Sequence, residues 1–354
     1  MKKRPIGKMT AVVGLSAILM TGCGLFGPAK ETGAPIQAPS ITGVDPNPLQ
    51  ITTEQTGTEA EGAGAVTQTA RRTVYLQDTN GFVVPVSLIL PKAEGPAKQV
   101  LGYMVKGGPV ETVKPEGFEA LLPEGTKILG MSIKEGKATI EFSSEFKNYK
   151  ATDEQKILDA ITRSMTEFDT VKDIAIWVNG QALNEMPVNG TPISLLNRQK
   201  GINTELVEGA HPGRTSAVTV YFQSQLDDKR TYFVPVTRLI PETQDVSKAA
   251  VEELIKGPKE GSPLFSSLLR TIKVLGVEQQ KDTVVVNLSS DVLKFDKGKE
   301  ANPEAMESLV LSLTENTGIK KVQVQVEGKP LEHAGTMKFD QPVTRPIQIN
   351  AFEL

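Results

Sequence analysis

From residue 73 onward the apolar positions fall into short runs whose period changes in a fixed order, and the whole order is met twice. Residues 73–77 and 82–90 are β-rich runs on either side of Asp78-Thr79-Asn80-Gly81, where Asn-Gly favours the positive φ of a tight turn. They predict a hairpin. Ala97, Val100, Leu101, Met104 and Val105 then fall at helical spacing, and a second hairpin is predicted over 126–133 and 138–143 about Glu135-Gly136. Thr152 with Gln155 reads as a capping box for a helix carrying Ile157, Leu158, Ile161, Met165 and Phe168, and a strand over 173–178 closes the unit. In the second unit the helices carry Ala250, Val251, Leu254 and Ile255, then Met306, Leu309, Val310 and Leu313. The first of these stops at Gly257-Pro258 and the second starts at Asn302-Pro303.

The repetition is residue by residue. Thr73-Val74-Tyr75-Leu76-Gln77 returns as Thr219-Val220-Tyr221-Phe222-Gln223, and Phe82-Val83-Val84-Pro85-Val86 returns as Tyr232-Phe233-Val234-Pro235-Val236. Lys127-Ile128-Leu129-Gly130 is answered by Lys273-Val274-Leu275-Gly276, Phe142-Ser143-Ser144-Glu145 by Leu288-Ser289-Ser290-Asp291, and Ile202-Asn203 by Ile349-Asn350. The expected fold class is therefore α+β: two tandem copies of a β-β-α-β-β-α-β domain, at 72–206 and 217–354 with a connector at 207–216. In each copy, one sheet with two amphipathic helices on a single face buries the apolar stripes. Pro85 and Pro235 lack a ladder donor, which puts their strands at an edge or a bulge.

The first 71 residues do not share this pattern. Lys2, Lys3, Arg4 and Lys8 precede an uncharged, apolar or small stretch, Met9 to Met20, too short for a permanent membrane span. Met20-Thr21-Gly22-Cys23 follows and resembles a bacterial lipobox, with Met20 where Leu is usual. This makes 1–22 a signal peptide and Cys23, the only cysteine, the lipidated residue, with palmitate as the expected chain. Residues 23–71 are rich in Gly, Pro, Thr, Ala and Gln and read as a tether, holding the folded part typically about 35–40 Å from the lipid. Loss of residues 1–22 leaves 35 basic against 42 acidic residues, a formal charge of −7, which argues against nucleic acid or an anionic surface as partner.

Candidate chemistry is sparse. The two histidines, His211 and His333, lie in the connector and the C-terminal segment and have no counterparts in the other copy. No His/Cys cluster has metal-ligand spacing, so no metal and no cofactor is expected. Glu145 and Asp291 end equivalent strands, where carboxylates more often serve turns and caps than acid–base chemistry. Lys106-Gly107-Gly108-Pro109 and Lys256-Gly257-Pro258 lack the rest of a phosphate loop and read as helix stops. Tyr75 and Tyr221 read as inward strand residues rather than a ligand cage. No catalytic residues emerge, and exposed strand edges near Pro85 and Pro235 are the expected binding surfaces.

The ordered motif set, Val-Tyr-Leu/Phe-Gln, Phe-Val-Pro-Val, Lys-Gly-Pro, Leu-Gly and Ser-Ser-Glu/Asp in two copies behind a lipobox and tether, resembles the sporulation and spore germination lipoproteins built of two GerMN domains. The extra glycine in Lys106-Gly107-Gly108-Pro109 departs from that pattern. The resemblance covers nearly the whole chain. It implies an endospore former, a domain related to the ring-building motif of sporulation and secretion complexes, and a non-catalytic scaffold role in sporulation and germination. It also implies the extracytoplasmic face of the mother-cell membrane around the forespore. The expected partners are the bilayer through Cys23, proteins of a forespore-envelope complex, and further copies of the chain. The rival readings are a peptidoglycan-modifying or -cleaving enzyme and a small-ligand binding lipoprotein. The first lacks a nucleophile, base and metal set, and the second is disfavoured by two small domains expected to be independent.

Overall fold

The computed structural model describes residues 68–352, apart from 194–195, 228–229 and 296–299. The expected signal peptide and almost all of the tether lie outside the described residues. The first copy runs β1 (Thr69–Asp78), β2 (Val83–Pro91), α1 (Pro96–Gly102), β3 (Ile128–Lys134), β4 (Lys137–Phe142), α2 (Glu154–Thr166) and β5 (Asp173–Val178). The second repeats the order with β6 (Thr215–Gln225), β7 (Thr231–Pro241), α3 (Val246–Lys256), β8 (Val274–Gln280), β9 (Thr283–Leu288), α4 (Pro303–Thr317) and β10 (Lys321–Val326). β1 begins at Thr69 because its polar first residues continue the ladder with β2 from Thr69↔Pro91 onward.

The sheet arrangement differs from the single sheet expected. Each copy has two main sheets, and the second adds a small pair, His333–Ala334 with Met337–Lys338. The opening hairpins β1–β2 and β6–β7 form one kind, edged by the short segments Phe118–Glu119 and Glu205–Leu206 respectively. The other kind has the order β3-β4-β5 or β8-β9-β10, antiparallel across its hairpin and parallel across the helical crossover. α2 packs against β1, β2 and β5, and α4 against β6, α3 and β10, so the helices lie between the two sheets. This explains why the helices are not the one-faced stripes predicted. From Ile157 to Met165 every residue of α2 is buried, including Asp159, Thr162, Arg163 and Ser164. A helix covered on both sides needs apolar or internally satisfied polar residues all round.

Local signals account for most boundaries. Glu135 and Gly136 both adopt positive φ, as a two-residue hairpin of this hand requires. Asn302 accepts a hydrogen bond from the Ala305 N–H at 2.8 Å and Pro303 occupies the first turn of α4. The Thr152–Gln155 capping box does not form. A 3₁₀ turn over Ala151–Asp153 leads into α2 instead, and Gln155 donates to Asp159 at 2.7 Å. α3 runs to the Lys256-Gly257-Pro258 stop, whereas α1 ends at Gly102, a turn before Lys106-Gly107-Gly108-Pro109. Glycine inside a helix costs about 1 kcal/mol relative to alanine, and the second copy has Glu252 at the place of Gly102.

The two copies are not independent bodies. They form one compact unit, and one apolar core runs through both, from Val74 to Phe339.

Candidate functional site

The residues with catalytic potential remain scattered. Glu145 and Asp291 sit in equivalent 3₁₀ turns after β4 and β9. Both carboxyls are held below their ordinary values, Glu145 chiefly by the Ser143 hydroxyl and Asp291 by Lys294 at 2.5 Å. A carboxyl kept ionised in this way is a poor proton donor. His211 and His333 are exposed, and His333 lies 3.5 Å from Glu300, an ion pair only when the imidazole is protonated. Among the described residues no three of His, Cys, Asp and Glu converge as a metal site would require. Cys23 lies outside the described residues.

The concentration of buried polar chemistry is instead at the seam between the copies. Two asparagines in the left-handed region close it, Asn203 at φ 47° and Asn350 at φ 54°. Asn203 accepts from Val83 N–H at 2.8 Å and donates to the carbonyls of Val83 and Pro235 at 2.8 and 2.7 Å. Asn350 mirrors it, accepting from Phe233 N–H at 2.7 Å and donating to the carbonyls of Phe233 and Pro85 at 2.8 Å each. Beside them, Ile202 pairs with Thr237, and Ile349 with Ser87. The strand edges at Pro85 and Pro235, expected to be open binding surfaces, are thus buried against each other and capped. Proline suits this place because its missing N–H falls on the side where the asparagine offers a donor to the carbonyl.

Deeper in the seam Tyr75 and Tyr221, both fully buried, meet an ionic network. Tyr75 donates to Glu167 at 3.0 Å and Tyr221 to Glu315 at 3.2 Å. Glu315 also pairs with Arg163, with Arg198 at 3.1 Å and with Arg345 at 3.0 Å, and Arg198 reaches Glu167 at 2.9 Å. Burial by itself would raise the Glu315 carboxyl, but Arg198, Arg163 and Arg345 together hold it well below the usual carboxylate range. Burial pushes the Tyr221 phenol up to about 12, so it stays a neutral donor. Glu315 is locked into three cations and offers no base. The network is a bolt between the copies, built from the equivalent pairs Tyr75 and Tyr221, Glu167 and Glu315, and Arg198 and Arg345, with Arg163 added by the first copy alone.

Three comparisons bear on what this arrangement belongs to. The family described as "Germane: Sporulation and spore germination" matches residues 73–184 and again 219–332. "Spore germination protein GerM" of Bacillus subtilis (strain 168) is 39% identical over 360 residues, covering 97% of this chain and 98% of the relative. The chain belongs to the Germane family. Among solved structures, the tandem GerMN domains of the Bacillus subtilis sporulation protein GerM match with a TM-score of 0.76 at 39% identity. That match spans 81% of this chain and all of theirs. The first GerMN domain of the same protein is 48% identical over 37% of this chain and 98% of its own length, with a TM-score of 0.36.

The α+β class and the tandem domains are those of the Germane family. The seam residues Arg163, Glu167, Arg198, Glu315 and Arg345 do not stand out one at a time, since single charges read as solvated surface. For all of them but Arg163, which stands where the second copy has Leu311, recurrence is the available signal. Tyr75, Glu167, Arg198 and Asn203 return as Tyr221, Glu315, Arg345 and Asn350, all polar positions kept across a duplication.

Proposed function

We propose that this Germane-family chain is a lipid-anchored, non-catalytic assembly component of sporulation and germination. In this reading Cys23 carries the anchor at the extracytoplasmic face of the mother-cell membrane around the forespore, and the two copies present one rigid body to protein partners. The observation that carries the reading is the contrast within the molecule. A buried ionic network and two asparagine clamps join the copies, while Glu145, Asp291, His211 and His333 lie apart from them.

Replacing Glu145 by Gln and Asp291 by Asn together tests this against the peptidoglycan enzyme. The pair keeps size and most hydrogen bonding but removes any acid–base or nucleophilic role, a change that costs glycosidase-type chemistry several orders of magnitude in rate. Spore yield and germination should stay at wild-type levels with an unchanged circular dichroism spectrum. A folded double variant that fails to sporulate would return the function to an enzyme. For the anchor, Cys23→Ala should move the protein from the membrane to the soluble fraction or leave it unprocessed. Retention and processing of that variant as in wild type would remove the lipoprotein assignment.

A further inference from the structure

The outer edge of β1, on the side away from β2, is treated differently in its first residues from the matching edge of β6. In β6 a polar stripe on α4 seals the edge. Ser308 donates to the Tyr221 carbonyl, Ser312 accepts from the Tyr221 N–H at 2.9 Å, and Asn316 accepts from Thr219 N–H at 2.9 Å while donating to its carbonyl at 2.6 Å. In the first copy the corresponding positions on α2 are Ala160, Ser164 and Phe168. Only Ser164 repeats the contact, accepting from Tyr75 N–H at 3.1 Å.

Alternation along the strand fixes what is left over. Tyr75 faces Pro85 and turns its N–H outward, so Thr73 and Arg71 turn theirs the same way. Farther along, Gln77 and Asp78 are taken by Phe118–Glu119. Phe168 cannot replace the amide of Asn316, and the outward N–H and C=O of Thr73 have no partner among the described residues. They open onto a cleft between the copies, lined by Arg71, Arg72, Phe168, Lys320 and Ile347. Ile347 is 95% exposed, and the Arg72 Nε is buried with no hydrogen-bond partner. Asp169, 3.7 Å from Lys320, is the one carboxylate there not already held in the bolt. Where the first copy has Arg71 and Arg72, the sealed edge of the second has Ala217 and Val218.

We propose that β1 between Thr69 and Thr73 accepts an extended, acidic segment of a partner protein as an added strand. The Thr73 N–H and C=O and the Arg71 N–H supply the ladder hydrogen bonds, the Arg71 C=O already accepting from the Arg72 guanidinium at 3.2 Å, and Arg71, Arg72 and Lys320 select carboxylates flanking the segment. An unpaired edge is a template for another strand, and a basic rim favours an acidic one by charge complementarity. The proposal rests on the non-catalytic binding role above and names the surface and the partner chemistry.

The probe is a fluorescein-labelled ten-residue peptide of alternating valine and glutamate, titrated by anisotropy into the full chain carrying Cys23→Ser. Binding should weaken at least tenfold with Arg71→Glu, with Thr73→Pro, and with a peptide methylated on alternate backbone nitrogens. The amides of Arg71 and Thr73 should gain hydrogen-exchange protection on binding. Arg71 is exposed, so its variant should keep the wild-type circular dichroism spectrum even if Thr73→Pro does not. Equal affinity of Arg71→Glu, or of a lysine-for-glutamate peptide, overturns the proposal. So does protection of Thr73 without peptide, whether it vanishes on deleting residues 24–67, which makes the chain's own segment the occupant, or grows with protein concentration, which makes it a second copy. Failure here, with normal sporulation of the Glu145/Asp291 double variant, removes the edge site and leaves the non-catalytic reading standing. A sporulation defect in that folded double variant removes the reading itself.

Discussion

Glu315→Gln should lower the stability of the folded unit by about 3–5 kcal/mol, the loss typical of removing one partner from a buried ion pair. The glutamine keeps the shape of the side chain but not its charge. Arg163, whose side chain is 1% exposed, and Arg345 are then left with no ion-pair partner among the described residues, and Arg198 keeps only Glu167. Glu167→Gln is the internal control. Its side chain and that of Arg198 are each about 30% exposed, so solvent screens the pair and its loss should cost under about 1 kcal/mol. Urea unfolding followed by circular dichroism separates the two. Equal losses in both variants would mean that the three-arginine environment of Glu315 does not bear on stability.

The same carboxylate gives the unit a pH signature. Its ordinary value is 4.5 and its folded value lies far below, so the native state takes up fewer protons than the unfolded chain as the pH drops. The stabilisation is therefore complete above pH 4.5 and is lost as the pH falls towards the folded value. Asp78 and Asp159 act in the opposite sense. Burial raises both above 3.8, so their contribution is present below 3.8 and is lost as the pH rises through their folded values. Below pH 4.5 the urea midpoint of wild type should fall towards that of Glu315→Gln. A constant gap down to the lowest pH at which both remain folded would contradict the assignment.

The element order was legible because each element depends on its own neighbours: period, turn glycines, the Asn302-Pro303 start. The separation into two sheets was not. Which strands join is decided by α2 and α4, whose polar residues suggested a wet face. Ser164 and Ser312 are in fact buried against Tyr75 and Tyr221, and Arg163 against the other copy. The prolines marked strand edges correctly, but an edge is a surface only if nothing covers it. Covering Pro85 and Pro235 takes Asn350, 265 residues along the chain from Pro85, and Asn203, 32 residues before Pro235. The rhyme of Ile202-Asn203 with Ile349-Asn350 records the duplication, and only the packing of the two copies gives it the job of a clamp.

That clamp can be dissected at one residue. Asn350→Ala removes the acceptor for Phe233 N–H and the donor to the Phe233 and Pro85 carbonyls, three contacts in a part-buried seam worth about 1 kcal/mol each. Alanine also pays about 1 kcal/mol or more for the left-handed backbone at φ 54°. The expected total is about 4 kcal/mol, and Asn350→Gly should be less damaging than alanine by the backbone part. Asn350→Asp is the sharper case. It keeps the acceptor for Phe233 but turns the donor into an anion facing two carbonyl oxygens, so it should be worse than alanine although it is closer in shape. Hydrogen exchange adds a local reading. In Asn350→Ala the Phe233 amide should lose protection while the Val83 amide, bound by Asn203 at 2.8 Å, keeps it, and in Asn203→Ala the pattern should reverse. If both amides open together in either variant, the seam behaves as one cooperative unit rather than two clamps. If neither opens and aspartate is tolerated as well as alanine, the asparagines are not what holds the copies together.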